Sequence, residues 1–265
     1  MTPVRLGAVE YLNARPLVFG LDRSPRFDLR YDVPSECARL LHAGDIDLGL
    51  IPSIEYLRGD SYRIVPDVAI ASRGPVASVA LFTTRPMADV RSIVMDTSSR
   101  TSAALARVLC ARLFKIDPAI EAHPPDLSAM LDRADAALII GDKALVWEPD
   151  DRQIQKIDLG EAWTSLTGLP FVWAFWAGPA GVLDADDVGA LQNAREEGVR
   201  QSDTIGREYF RAAPQHRDLG ARYLRDNIKY YLGAEERAGL ESFYRYAAEI
   251  AVVDRAPDSQ SLRFY

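Results

Sequence analysis

Between Asp96 and Ala103 the chain sets five hydroxyl side chains, Thr97, Ser98, Ser99, Thr101 and Ser102, around Arg100. They follow the short apolar run Ser92-Ile-Val-Met-Asp96 and precede the helix-like stretch Ala103 to Leu113. A strand that feeds a helix through such a turn leaves backbone N–H groups unpaired at the positive end of the helix dipole, here ringed by short donors. That arrangement suits a small anion, a carboxylate or a phosphate. Helix capping accounts for one or two of these hydroxyls, but five in six positions exceed what a cap needs.

Four further segments carry groups able to do chemistry. Tyr11-Leu-Asn-Ala-Arg-Pro16 offers Asn13, whose amide both donates and accepts, with the Arg15 guanidinium beside it. Asn13 is a candidate for orienting a ligand hydroxyl, or an Asx cap for the helix that Pro16 opens. Pro52-Ser-Ile-Glu55 offers Ser53 ahead of helix N–H groups, a second anion cradle. Ser72-Arg-Gly-Pro-Val-Ala-Ser-Val79 brings Arg73, a Gly74-Pro75 turn and Ser78, a lone hydroxyl in an apolar strand that needs a partner once buried. Ile140-Gly-Asp142 ends an apolar strand in a carboxylate that either faces a site or caps the next segment. No histidine lies in these segments, so a general base has to be a carboxylate such as Asp142 or a group on the substrate itself. No Gly-x-Gly-x-x-Gly, P-loop or Gly-x-Ser-x-Gly motif occurs, which leaves dinucleotide, nucleotide and α/β-hydrolase chemistry unsupported.

The elements that position these groups alternate. Strands at 4–9, 27–33 and 46–51 flank a helix over 34–44, with Ser35 near its start and Gly44 as its stop. A second unit runs strand 92–96, helix 101–114, helix 126–133 and strand 136–140, while 76–84 and 171–176 read as strands where the chain crosses between lobes. This predicts an α/β protein of two lobes, an inserted lobe at 83–176 within an outer one made of 1–82 and 177–265, with ligands beyond the carboxyl ends of the strands. From Ala185 onward the spacing is helical, and the acidic run 184–187 reads as a helix start. The aromatic cluster Tyr223, Tyr230, Tyr231, Phe243, Tyr244 and Tyr246 reads as packing.

At 265 residues the chain has room for two lobes of ordinary size, and 48% hydrophobic with 26% charged residues is a globular composition. A net charge of −7 without a basic run argues against nucleic acid as a partner. The opening residues lack the pattern of a secretion signal and no stretch is long and apolar enough for a membrane span, so a cytoplasmic location away from membranes is expected. Cys37 and Cys110 are expected as reduced core thiols. His42, His123 and His216 are scattered without ligand spacing and are expected at the surface or in loops, so no metal and no cofactor is expected. The apolar helices of the tail fit either a monomer or a homodimer.

Taken in order, Tyr11 to Leu17, Gly44 to Tyr56, Gly74 to Val79, Asp96 to Ser102, Leu138-Ile-Ile-Gly-Asp142 and Asp158 to Val172 closely resemble the menaquinone biosynthesis family of chorismate dehydratases of the futalosine pathway. The likeness runs from about residue 4 to 176, weaker in the tail. It implies a type II periplasmic-binding-protein-like fold used as an enzyme, with the small-molecule dicarboxylate chorismate in the cleft. The implied reaction is dehydration to 3-[(1-carboxyvinyl)oxy]benzoate. Carried over by motif, Asn13, Ser78 and Asp142 are the expected catalytic residues. Thr97, Ser98, Ser99 and Thr101 are expected to clamp one carboxylate and Ser53 to lie near the other, with Tyr11, Arg15 and Gly141 also in contact with substrate. A sister family of this fold, which forms dihydroxynaphthoate from a cyclised futalosine derivative, carries a histidine near the end of the strand corresponding to 136–140, where this chain has Gly141-Asp142. Solute receptors and regulator effector domains share the fold, so binding without catalysis is the competing class.

Overall fold

The computed structural model describes residues 2–59, 61–148, 153–254 and 262–265. The chain opens with β1 (Val4–Val9), β2 (Phe27–Asp32), α1 (Pro34–Ala43), β3 (Leu48–Pro52) and β4 (Tyr62–Ser72). β1 pairs in parallel with both β2 and β3. Gly44, at φ 75°, ends α1 in the left-handed conformation that glycine adopts without strain. Ser35 does not cap that helix; the N-cap is Val33, and the Ser35 N–H instead donates to the Ser98 carbonyl at 3.0 Å.

The chain then crosses to a second sheet built from β5 (Val79–Thr83), β6 (Ser92–Asp96), β7 (Ala119–His123), β8 (Ala136–Ile140) and β9 (Gln155–Asp158), in the order β7-β6-β8-β5-β9. Its helices are α2 (Arg100–Leu109), α3 (Leu127–Leu131), α4 (Asp142–Leu145) and α5 (Leu159–Thr167). α2 stops short of the expected 101–114 because residues 110–114 widen into a π turn. After α5 the chain returns as β10 (Phe171–Pro179), which inserts antiparallel between β3 and β4 to give the order β2-β1-β3-β10-β4. The result is two five-stranded mixed sheets, one per lobe.

Strand pairing moves the expected crossings at 82/83 and 176/177. β5 pairs with β8 and β9 along its whole length, so Val79 to Phe82 belong with the second sheet, and all of β10 belongs with the first. The physical crossings are the short segments 73–78 and 168–170. The reason is that each crossing strand completes one sheet by hydrogen bonding and cannot be shared between two.

α6 (Ala185–Arg200), α7 (Ser202–Tyr209), α8 (Arg217–Arg222) and α9 (Ala234–Glu249) return to the first lobe. The acidic start of α6 is a capping box in which Asp184 and Asp187 exchange side-chain-to-backbone bonds. Gly198 of α6 meets the Pro16 backbone so closely that any Cβ would collide with it. The aromatic residues of α9 pack as expected: Trp163 of α5, Phe171 of β10 and Phe243 of α9 meet edge to face at 4.8–6.2 Å, tying the return crossing to both lobes.

Cys37 and Cys110 are free and buried. His42 is exposed at the end of α1, in keeping with the surface expectation, yet it is not without partners. It stacks on Tyr62 and bonds the buried Glu55 at 3.1 Å, because the end of α1 packs over the turn at Ser53–Arg58. Among the described residues no helix is long and apolar enough to cross a membrane.

Candidate active site

The strand ends of both sheets meet across a cleft with two chambers. The inner one is walled by Val9, Ile70, Val76, Val79, Ile140 and Trp173 and carries the polar groups of Asn13, Ser78, Ser99 and Ser102. The outer one is roomier and holds Glu10, Arg15, Asp96, Thr97, Ser98, Asp142, Lys143 and Tyr209. Tyr11 and Ile140 line both and form the partition.

Asn13 sits in the short 3-10 helical segment Leu12–Val18, just after β1. It does not act as an Asx cap: that segment has no side-chain cap, and the Asn13 Oδ1 is buried without a partner among the described residues. A buried amide oxygen left unpaired costs free energy unless something in the cleft pairs with it. Ser78 follows the forward crossing and is 1% exposed; its Oγ lies 2.7 Å from the Tyr223 hydroxyl, which supplies the partner this lone hydroxyl required. Tyr223 itself lies against Asn13, so the three polar groups form one cluster on the first-lobe side of the inner chamber.

The crossing that presents Ser78 is firmly held. Asp158 accepts from the N–H groups of Val76 and Ala77 at 3.0 and 2.6 Å, and the Lys156 ammonium donates to the Ala77 carbonyl at 2.8 Å. Ala77 is held at φ 64°, a left-handed conformation costly for alanine, and these bonds sustain it. Burial lowers the Lys156 pKa, with Asp158 opposing the effect.

The hydroxyl-rich turn divides its work. Ser99 is the N-cap of α2, accepting from the Ser102 N–H and donating to the Ser102 hydroxyl at 2.9 Å, and both line the inner chamber. Ser98 spends its hydroxyl on Asp96 Oδ1 at 2.6 Å and accepts a long 3.4 Å bond from Tyr11. Thr97 is exposed at the outer chamber. Thr101 and Ser53 fall outside both chambers: the Thr101 Oγ1 accepts from the Ile54 N–H at 3.1 Å, and the Ser53 hydroxyl donates to the Val172 carbonyl at 2.8 Å. Thr101 therefore joins the lobes beside the cleft, with the Ser53 hydroxyl 3.4 Å from its own and the Arg100–Glu55 ion pair at 2.7 Å nearby, while the Ser53–Val172 bond lies within the first lobe.

Asp142 also bridges. Gly141 is the N-cap of α4, and the Asp142 carboxylate accepts from the Leu12 N–H at 3.2 Å and the Tyr209 hydroxyl at 2.6 Å, both on the other lobe. Burial raises its pKa above the ordinary carboxylate value, with those donors and Arg15 opposing. Arg15 stacks between the rings of Tyr31 and Tyr209. Gly141 has φ 68°, and a Cβ there would meet the Tyr11 ring at 3.0 Å. Burial pushes the Tyr11 hydroxyl up to about 12, so it stays protonated.

The structure adds Tyr223, Tyr209 and Trp173 to the residues singled out in sequence. Trp173 is legible as an aromatic in a strand. The two tyrosines carry no sequence signal beyond helical spacing, because what brings them here is the packing of the tail onto the cleft. Among the described residues no three His, Cys, Asp or Glu side chains are grouped to hold a metal ion.

Two mixed sheets with a cleft at their strand ends, joined by two short crossings, define a protein of the periplasmic-binding-protein-like fold. Solved structures with this architecture include a protein of Archaeoglobus fulgidus (TM-score 0.75, 17% identity, 95% of this chain and 99% of that one). Another is the alkanesulfonate-binding protein SsuA of Xanthomonas axonopodis bound to MOPS (TM-score 0.67, 16% identity, 99% and 96%). At such identities the likeness is one of fold. The chain belongs to the menaquinone biosynthesis family, whose profile matches residues 4–249. It is 32% identical over 264 residues to the chorismate dehydratase of Thermus thermophilus, covering 92% of this chain and 94% of that protein. It is 31% identical over 175 residues to the chorismate dehydratase of Campylobacter jejuni, covering 63% and 64%.

Proposed function

We propose that this chain dehydrates chorismate to 3-[(1-carboxyvinyl)oxy]benzoate, with the ring in the inner chamber. The observation that carries the reading is the pairing of an apolar chamber with polar groups at its two ends: Asn13 and Ser78 on the first lobe, the serine-ringed start of α2 on the second. A flat ring needs the walls of Ile70, Val79, Ile140 and Trp173. A ring carboxylate needs the N–H groups and hydroxyls at Ser99 and Ser102.

The chemistry removes a ring hydrogen and the neighbouring hydroxyl so that the ring aromatises. The described residues lining the inner chamber include one titratable side chain, Tyr11, and at a pKa of about 12 it is no base at neutral pH. Asp142 lines the outer chamber and is engaged by the Leu12 N–H and Tyr209. The proton therefore goes to the substrate's own enolpyruvyl carboxylate. Donors at the start of α2 stabilise negative charge that develops toward the ring carboxylate. The C–H electron pair becomes the new ring bond, the C–O bond breaks, and the departing oxygen, hydrogen-bonded by Asn13 and Ser78, leaves as water on taking up the proton removed. Asp142, Thr101 and Ser53 serve closure, excluding bulk water from the chamber.

Incubating the purified protein with chorismate and weighing the products by mass spectrometry tests this reading. Loss of one water supports it; chorismate recovered intact overturns it.

A further inference from the structure

The Tyr223 phenol is 2% exposed, contacts both polar residues of the first-lobe cluster and yet lines neither chamber. It is carried on a π turn, Tyr223–Asn227, that ends the helical run begun by α8. Such turns cost regular hydrogen bonding and recur where a side chain must be aimed. The same turn is anchored to the forward crossing: the Asn227 amide donates to the Pro75 carbonyl at 2.9 Å. Tyr223 and Ser78 are thus held from two sides, by the π turn and by the Asp158–Lys156 clamp on Val76 and Ala77.

We infer that Tyr223 is a positioning residue of the dehydration, donating its hydroxyl hydrogen to the Ser78 Oγ so that the Ser78 proton is directed at the departing oxygen of the substrate. The inference rests on the reading of this site as a chorismate dehydratase. A serine hydroxyl rotates freely about its Cβ–Oγ bond and has one proton. With one lone pair occupied by a phenol behind it, that proton is turned toward the chamber. The Asn13 side chain lies against the Tyr223 oxygen, and in the inferred arrangement its amide N–H occupies the lone pair that would otherwise attract the Ser78 proton backwards, so that amide, phenol and hydroxyl form a chain of one direction. Burial raises the Tyr223 pKa far above that of a free phenol, which keeps the donor protonated throughout the working range. Tyr223 touches no substrate and transfers no proton; it removes the need to orient Ser78 during the reaction.

Steady-state kinetics of Tyr223→Phe, Ser78→Ala and the double variant on chorismate, beside the wild type, test this. Tyr223→Phe should lower kcat by about 10- to 100-fold while KM changes little, the pattern of an interaction made in the transition state. The double variant should be no slower than Ser78→Ala, since Tyr223 acts only through that hydroxyl. A residue that merely packs would show unchanged kcat in the single variant, or losses that multiply in the double one, and either result overturns the inference. Should Tyr223→Phe fail to fold, 3-fluorotyrosine at position 223 keeps the shape and alters the donor's acidity; a changed kcat supports the role and an unchanged one overturns it. A wild type without turnover overturns the chorismate reading and this inference together, whereas an active wild type with an equally active Tyr223→Phe overturns this inference alone.

Discussion

Asp142 of the second lobe accepts a hydrogen bond from Tyr209 of the first across 2.6 Å, so a half-buried carboxylate joins the two lobes in the outer chamber. Burial raises the pKa of this carboxyl above its ordinary 3.8. The folded state therefore binds more protons than the unfolded chain between 3.8 and the raised value, and Asp142's contribution to stability is lost as pH rises through that window. Asparagine does not titrate. Asp142→Asn should thus gain stability relative to wild type between pH 3.8 and neutrality, read as the difference in urea midpoints at the two ends. A difference independent of pH contradicts the assignment.

Asn13→Ala separates function from folding. Among the described residues the Oδ1 it removes has no partner, and the loss is confined to the amide against Tyr223, so destabilisation should stay within about 1–2 kcal/mol. Turnover should fall by about 100-fold or more, the scale for losing a donor aimed at developing charge. Thermal unfolding and kcat measured on one preparation decide; a stable variant with undiminished kcat removes Asn13 from the mechanism.

Thr101→Val makes the opposite prediction. It strips the acceptor from the buried Ile54 N–H, which should destabilise by about 1–3 kcal/mol. Were Thr101 a carboxylate ligand in the chamber instead, KM would rise while the denaturation midpoint stayed put.

Gly141→Ala forces a Cβ to within 3.0 Å of the Tyr11 ring at φ 68°. Backbone strain of this kind costs about 1–3 kcal/mol. A lowered unfolding midpoint is expected, together with a perturbed Tyr11 hydroxyl, since its ring must yield. An unchanged midpoint would mean that the turn relaxes freely.

Much of this architecture is legible in the residues. The runs at 4–9, 92–96 and 136–140 are mostly apolar stretches bounded by polar turns, and they fall on β1, β6 and β8. β4 is harder to read because Pro66 and Asp67 interrupt it; the structure accommodates them where the β10 register shifts and Asp67 takes φ 60°. The hydroxyl-rich turn stands out in the sequence, yet composition cannot say which hydroxyls face inward. One satisfies Asp96, one caps α2 and one crosses to the other lobe. Tyr223 was invisible for a different reason: its spacing is that of a packing residue, and its partner Ser78 lies 145 residues away.

The most direct measurement is the ultraviolet spectrum of chorismate during incubation with the wild type, beside Asn13→Ala at equal concentration. The account predicts a benzoate-ring absorbance that grows as chorismate disappears, mole for mole, and that is strongly slowed in the variant. An unchanged spectrum with the wild type would contradict it.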